Sequence, residues 1–458
     1  MSLLRSLPPI DRLLAHPSWG EGGPLPHSVR RAACRAVVDA LRAGVLDGTV
    51  TEIPDDAVLV ARAVASARAA AGPRLVRVVN GTGVLLHTNL GRAPLAEAAL
   101  DALSEVAGRY TNLELDLQSG RRDSRHTRLS EGFARVIGCA DVVVANNNAA
   151  AVFLALSALA AGEDVVVSRG ELVEIGGSFR MPEIMESSGA RLREVGATNR
   201  THLRDYAAAL DAGAKVVMKV HRSNFAQLGF VSEVSIEELG ALCRERGALL
   251  LHDLGMGVLD GGPGVARVDG GPPESVRRSL DAGAHVVLFS GDKMLGGPQA
   301  GILAGDADVL ARVGRHPVMR LVRPGKLCLL ALEATLRLWE LDPSGGLVPA
   351  ARLLARSADA LRVDAEALAA RLPAALQPEV VPSSSTPGGG SLPGSTVPSW
   401  AVAVRHPTLG EDALAAALRA HRTPVVPRIE DGRVRVDLRT LLDGDADVVA
   451  DALESTLP

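Results

Sequence analysis

The chain carries only four lysines, Lys215, Lys219, Lys293 and Lys326, beside 45 arginines. Arginine stays protonated, whereas lysine can shed a proton and attack as a primary amine. A composition that has drifted to arginine makes each retained lysine a question of chemistry. Lys293 lies in FSGDKMLGGPQAG, residues 289–301, on a short polar turn between an apolar run and a glycine pair. Ser290 and Gly291 can donate to an anion, Asp292 can orient the amine or cap the turn, and Gly296 and Gly297 permit close approach.

Two other stretches carry compatible chemistry. In VANNNAAAVFLAL an apolar run enters Asn146, Asn147 and Asn148, and a small-residue helix follows. The first-turn N–H groups of such a helix seat an anion, and Ala149 and Ala150 let a ligand near the backbone. Taken alone, the asparagines read equally well as an ordinary helix cap. In LLLHDLG, Asp253 ends an apolar run. A carboxylate there can hold a cationic ring nitrogen, though a lone aspartate at a strand end is usually a turn residue. His252 is expected on the opposite face, in packing.

Together, a phosphate seat, an aspartate and a later lysine supply what pyridoxal 5′-phosphate requires. The phosphate docks at a helix start, the aspartate keeps the pyridine nitrogen protonated, and the lysine forms the Schiff base. Arginine-rich loops add oxyanion capacity: SGRRDSRHTR with Arg121, Arg122, Arg125 and Arg128, GRHPVMRLVRPGK with Arg315, Arg320, Arg323 and Lys326, and HTNLGRAPL with Arg92. Such clusters are also compatible with a solvated face. NGTG at 80–83 lacks the GK[ST] of a P-loop, and no His/Asp/Glu spacing points to a metal.

The elements that must position these residues follow from periodicity. Residues 1–72 read as a small helical domain ended by Gly72-Pro73. From 73 to 330, non-alternating runs at 141–145, 164–168, 191–195, 215–221, 248–253, 285–290 and 301–305 alternate with helical stretches. That predicts an α/β domain on a mostly parallel sheet covered on both faces, with ligands beyond the strands' carboxyl ends. Residues 331–458 read as an α+β domain, entered by a long helix after Lys326 and holding strands at WAVAVRH and RVRVDLR. The Ser/Pro/Gly-rich 381–399 reads as a flexible linker.

With 458 residues, 47% hydrophobic and 22% charged, the chain is expected to be globular and cytoplasmic, without a membrane span. A net charge of −4 argues against nucleic-acid binding, DNA included, by the molecule as a whole, so a polyanion would have to be met by local patches, and 2% aromatics argue against base-stacking platforms. Cys34, Cys139, Cys243 and Cys328 form no CxxC pair and read as packed thiols.

NGTGVLLHTNLGRAPL, VVANNNAAAVFLAL, VVVSRGELVEIGGSFRMPEIM, EVGATNRTH, KVHRSNF, Asp253-Leu254-Gly255, FSGDKMLGGPQAGI and the run from His316 through LALEATLRL resemble the bacterial selenocysteine synthases, L-seryl-tRNA(Sec) selenium transferases. The likeness covers about 75–340 in order and spacing, then extends more loosely through GGGSLP. It implies a fold-type I pyridoxal-phosphate-dependent transferase with a mostly parallel central sheet, a small helical N-terminal domain that grips tRNA, and an α+β C-terminal domain. It further implies a homodecamer, with seryl-tRNA(Sec) and selenophosphate as substrates and an aminoacrylyl intermediate on the path. Lys293 would be the Schiff-base lysine, Asp253 the pyridinium partner, and Arg92, Arg320 and Arg323 the holders of the donor's anion. Asn147, Asn148, Ala149 and Ser290 would complete the cofactor site. Met256 stands where the family more usually has serine. Two alternatives stay open on the residues alone: a pyridoxal-phosphate lyase or aldolase acting on a free amino acid or sugar-acid phosphate, and a non-catalytic tRNA-binding paralogue.

Overall fold

The computed structural model describes residues 2–22, 25–72, 74–175, 179–263, 274–388 and 394–457. The chain divides into two compact units, Met1–Arg77 and Val78–Pro458. In the first, helices His27–Asp47 and Asp56–Ala71 enclose a core of Leu13, Trp19, Cys34, Val38, Leu41, Leu59 and Val60. Gly48 takes a left-handed conformation (φ 80°) and ends the longer helix. The Trp19 indole N–H donates to the Leu13 carbonyl at 2.9 Å.

The second unit is built on seven strands: β1 (Asp141–Ala145), β2 (Asp164–Ser168), β3 (Arg191–Val195), β4 (Val216–Val220), β5 (Leu249–Gly255), β6 (Val286–Ser290) and β7 (Gly301–Gly305). Their spatial order is β1-β7-β6-β5-β4-β2-β3, and only β7 runs antiparallel to its neighbours. All seven apolar runs of the sequence form these strands. Six of them do not alternate with polar residues because both faces are covered, whereas β3 (RLREV) lies at the sheet edge and is largely exposed. Val142, Val144, Val217, Leu250 and Val287 pack into one core, while Val143, Val165, Val216, Leu251 and Leu288 pack into the other with the helix Asn148–Leu159.

The period of two along a strand sends Asp253 to the face carrying helix Asn148–Leu159 and sends His252 to the other. There His252 is buried, with Nδ1 2.9 Å from the Ser279 hydroxyl, and burial pushes its pKa down to about 3. His252 is a packing residue, as expected. Lys219, its register partner on β4, shares that face.

After the long helix Lys326–Leu341, a four-stranded antiparallel sheet follows: β8 (Glu379–Ser385), β9 (Val397–Val404), β10 (Arg428–Glu430) and β11 (Arg433–Asp437), in the order β8-β9-β11-β10. This corrects the linker expectation for 381–399, apart from 389–393, which lie outside the described residues. Ser383, Ser385 and Ser399 donate to the carboxylate of Asp437, which is wholly buried. The serines are strand residues serving a buried charge. A short parallel ladder joins Val79–Asn80 to Val425–Val426, and Gly83 (φ 79°) passes so near Asp437 that a Cβ would stand 2.8 Å from its Oδ2. No helix among the described residues is long and apolar enough to cross a membrane.

Candidate active site

Asp253 and Lys293 meet at the carboxyl ends of β5 and β6. Asp253 lies beside Val220 on β4 and Leu288 on β6, and a bulge between Asp253 and Gly255 interrupts the ladder. Bulges re-aim side chains next to functional sites. Gly255 takes φ 69°, and a Cβ added to it would stand 3.8 Å from the Lys293 amine. That distance is ordinary contact, so it is the positive φ that favours glycine there. The turn holding Lys293 is fixed by the N–H of Gly296 donating to the Lys293 carbonyl at 2.9 Å and that of Gly297 to Gly291 at 2.8 Å. Gly296 takes φ 73°, with Val348 where a Cβ would go. The Gly291 N–H is spent on the Ala300 carbonyl at 2.9 Å, so it is not available to an anion.

Both groups are buried. Burial pulls the Lys293 ammonium down to about 8, helped by the charge of Arg92 and opposed by Asp253 and Asp292. Burial pushes the Asp253 carboxyl up, while the Asn148 N–H and the charges of Lys293 and His221 pull it back. The remaining lysines are differently engaged. Lys215 is an exposed partner of Glu163 at 3.2 Å, and Lys326 donates to the Arg109 carbonyl at 2.8 Å. Lys219 is as buried as Lys293. It donates to Glu171 at 3.0 Å and to the Val234 carbonyl at 2.9 Å. Burial opposes its charge, but Glu171, Glu274 and Glu233 hold its pKa above the ordinary value. Of the two buried amines, only the one at 293 has its pKa pulled below the ordinary value.

The helix Asn148–Leu159 opens beside Asp253. Asn147 caps it, its Oδ1 accepting from the Ala150 N–H at 2.9 Å. Asn148 donates its amide N–H to Asp253 Oδ1 at 2.8 Å, and its own Oδ1 is buried with no hydrogen-bond partner. Leaving such an acceptor unpaired costs about 1–3 kcal/mol, and a bound ligand can satisfy it. Ala149 follows in the first turn, half-buried, and Ser290 is buried at the end of β6. A buried carboxylate, an amine able to lose its proton, a helix start and an unpaired carbonyl together fit a pyridine ring bearing a phosphate.

The arginines sit in two places. Arg92, at φ 62°, puts Nη1 2.9 and 3.1 Å from the two oxygens of Asp292, and the Ala93 N–H donates to the Asp292 carbonyl at 3.2 Å. Positive φ in a non-glycine residue costs about 1–3 kcal/mol and persists where surrounding contacts impose it. Arg320 is exposed on the short helix Met319–Val322, which is tied to the end of β1 by the Asn146 N–H donating to the Val322 carbonyl at 2.8 Å. Arg323 follows, its Nη1 3.5 Å from Glu114. Glu114 also takes Arg122 and Arg125, and Arg125 reaches the Pro324 carbonyl at 2.8 Å. Arg323 thus shares one carboxylate with two arginines of the SGRRDSRHTR loop. Sequence reasoning did not single out Glu114, Asn148 as an aspartate partner, or His221, whose N–H donates to the Asp253 carbonyl at 2.9 Å while its Nδ1 lies 2.7 Å from Glu274. Asn148 and His221 have partners far off in sequence, and Glu114 joins the nearby Arg122 and Arg125 to the distant Arg323.

Lysine and aspartate brought to the carboxyl edge of one mostly parallel sheet, with a helix start beside the aspartate and an antiparallel-sheet region following, define the α/β fold of the type I pyridoxal-phosphate-dependent transferases. The solved structure of D-glucosaminate-6-phosphate ammonia-lyase shares the fold, with a TM-score of 0.58 at 18% identity over 83% of this chain and 96% of that one. A family model described as SelA: L-seryl-tRNA selenium transferase matches residues 78–442. The L-seryl-tRNA(Sec) selenium transferase of Hyphomonas neptunium is 44% identical, covering 98% of each chain. That of Moorella thermoacetica is 42% identical over 100% of this chain and 97% of its own. The chain belongs to the L-seryl-tRNA selenium transferase family.

Proposed function

We propose that the chain converts L-seryl-tRNA(Sec) to L-selenocysteinyl-tRNA(Sec), taking selenium from selenophosphate with pyridoxal 5′-phosphate as cofactor. The serine hydroxyl leaves as water, and selenium forms the new bond to the β-carbon as phosphate departs from the donor. The cofactor, when bound, supplies the electron sink that lets the α-carbon lose its proton. Asp253 holds the ring nitrogen, and the helix start at Asn147, Asn148 and Ala149, with Ser290, receives the phosphate. Lys293 carries the cofactor and moves protons at its Nζ. Arg92, Arg320 and Arg323 balance the donor's negative charge. The amino acid reaches the site esterified to tRNA, so its carboxylate needs no arginine.

The observation that carries this reading is Lys293, buried at the carboxyl ends of β5 and β6 where it meets Asp253 beside the Asn148 helix start, in a chain of the L-seryl-tRNA selenium transferase family. The N-terminal unit is the tRNA grip, and the cytoplasmic location and homodecamer implied by the family belong to the same reading. The test supplies purified protein with pyridoxal phosphate, selenophosphate and either seryl-tRNA(Sec) or free serine. Selenocysteinyl-tRNA from the wild type and none from Lys293→Ala is expected. Turnover of free serine in place of seryl-tRNA would replace this reading with that of a small-amino-acid lyase.

A further inference from the structure

We propose that Asn148 is a positioning residue for Asp253: its amide N–H occupies one carboxylate oxygen, so that the other is turned to the ring nitrogen and stays ionised. The inference rests on the reading that a pyridine nitrogen meets Asp253.

Asn148 and Asn147 are adjacent in sequence yet do different work. Asn147 spends its side chain on the helix, as a cap on the Ala150 N–H. Asn148 turns away from the helix and reaches 105 residues along the chain to Asp253 Oδ1 at 2.8 Å. An asparagine at a helix start normally serves the local backbone. This one leaves its own carbonyl oxygen buried and unpaired in order to place its N–H on a carboxylate. The amide orientation is fixed by chemistry, because the opposite flip would set a carbonyl oxygen against a carboxylate oxygen.

The carboxylate needs the donor. Asp253 is buried, and burial favours its neutral form. The charged groups that act on it are Lys293 and His221, and the backbone N–H of Gly255 adds a hydrogen bond. The Lys293 ammonium gives up its proton above about 8, so its support is lost toward the alkaline end. Asn148 supplies a donor that does not titrate. With one oxygen engaged and the carboxylate plane fixed, the second oxygen has a defined direction. A carboxylate lacking that anchor could rotate or take a proton, and either change removes the partner a protonated pyridine requires.

The test measures the affinity of the full chain for pyridoxal phosphate, from the change in its absorbance on binding, between about pH 6 and pH 9. Two variants are compared with the wild type. Asn148→Leu removes the donor, so Asp253 takes up a proton at higher pH. Its affinity is expected to fall about ten- to a hundredfold at the acid end, the range that goes with a hydrogen bond to a charged group, and to recover as pH rises. In Asn148→Asp the two carboxyl groups share a proton at the acid end, restoring an O–H donor to Asp253. That variant is expected to bind more tightly than Asn148→Leu at about pH 6. An Asn148→Leu protein that melts at lower temperature yet binds with wild-type affinity across the range would make the residue structural and overturn the inference. So would an Asn148→Asp variant that gains nothing over Asn148→Leu in acid. If the wild type itself takes up no cofactor, the functional reading falls as well, so the two failures are distinguishable.

Discussion

Arg92 reaches across 200 residues of sequence to place Nη1 within 3.1 Å of both oxygens of Asp292, the residue immediately before Lys293. The two charges act on the Lys293 amine in opposite senses, Arg92 lowering its pKa and Asp292 raising it. The ion pair is therefore a setting on that amine as well as a clamp on its turn. Arg92→Gln is expected to move the pH midpoint of Lys293 modification upward from about 8, and Asp292→Asn to move it downward. Rates of reductive alkylation at Lys293, followed by peptide mapping against pH, check both signs. Unchanged midpoints in both variants would remove the electrostatic role.

The two buried lysines predict opposite responses to loss of charge. Lys219→Met strands Glu171 without its counter-ion, and breaking a buried pair costs about 3–5 kcal/mol. Lys293→Met removes an amine whose folded pKa lies below its ordinary 10.5. Between about 8 and 10.5 the unfolded chain binds the extra proton, so the wild type gains stability as pH rises through that window. Below it the full penalty, at most about 3 kcal/mol, is present. In cofactor-free protein, Lys293→Met is therefore expected to be more stable than wild type at neutral pH, with the gap closing toward pH 10.5. Denaturant titrations at several pH values measure both effects.

Asp437 is the anchor of the antiparallel sheet. It accepts from Ser385 at 3.0 Å, from Ser399 at 2.7 Å and from the Arg439 N–H at 3.0 Å. It also packs against Gly83, nine residues before Arg92. Asp437→Ala is expected to cost about 3–5 kcal/mol by leaving buried donors unsatisfied. Gly83→Ala should also destabilise, because its φ of 79° and the Asp437 contact both refuse a Cβ. Equilibrium unfolding reads each loss.

Glu114 gathers Arg122, Arg125 and Arg323. Removing it with Glu114→Ala frees Arg323 from its anchor and keeps all three arginines, while taking one negative charge from the cluster. The expected result is a KM for selenophosphate raised about two- to fivefold, the scale of an exposed ion pair, with kcat nearly unchanged. An equal fall in kcat would place Glu114 in the chemical step.

Six of the seven strands were legible in the sequence because they are buried on both faces, and a run such as DVVVA has no polar alternation to confuse it with a surface ribbon, whereas RLREV is an exposed edge strand. Lys293 and Asp253 were legible because strand ends and a scarce residue type marked them. The scarcity of lysine was an incomplete guide, since Lys219 is retained for a structural reason, an ion pair with Glu171 that composition does not reveal. The 381–399 stretch misled because its serines resemble those of a flexible chain, whereas their hydroxyls serve a carboxylate that enters the sequence much later. The pairings Asn148–Asp253, Arg92–Asp292 and Arg323–Glu114 each join residues more than 100 positions apart. Periodicity reports which face a residue takes, and the partner across that face is fixed only by the fold.

The amine at position 293 is the proposed carrier of the cofactor. Purified full-length protein incubated with pyridoxal phosphate, reduced with borohydride and digested should yield one peptide heavier by the reduced pyridoxyl phosphate group, the one containing Lys293. The modification found on Lys219, Lys215 or Lys326 instead, or no stable adduct at all, would contradict the account.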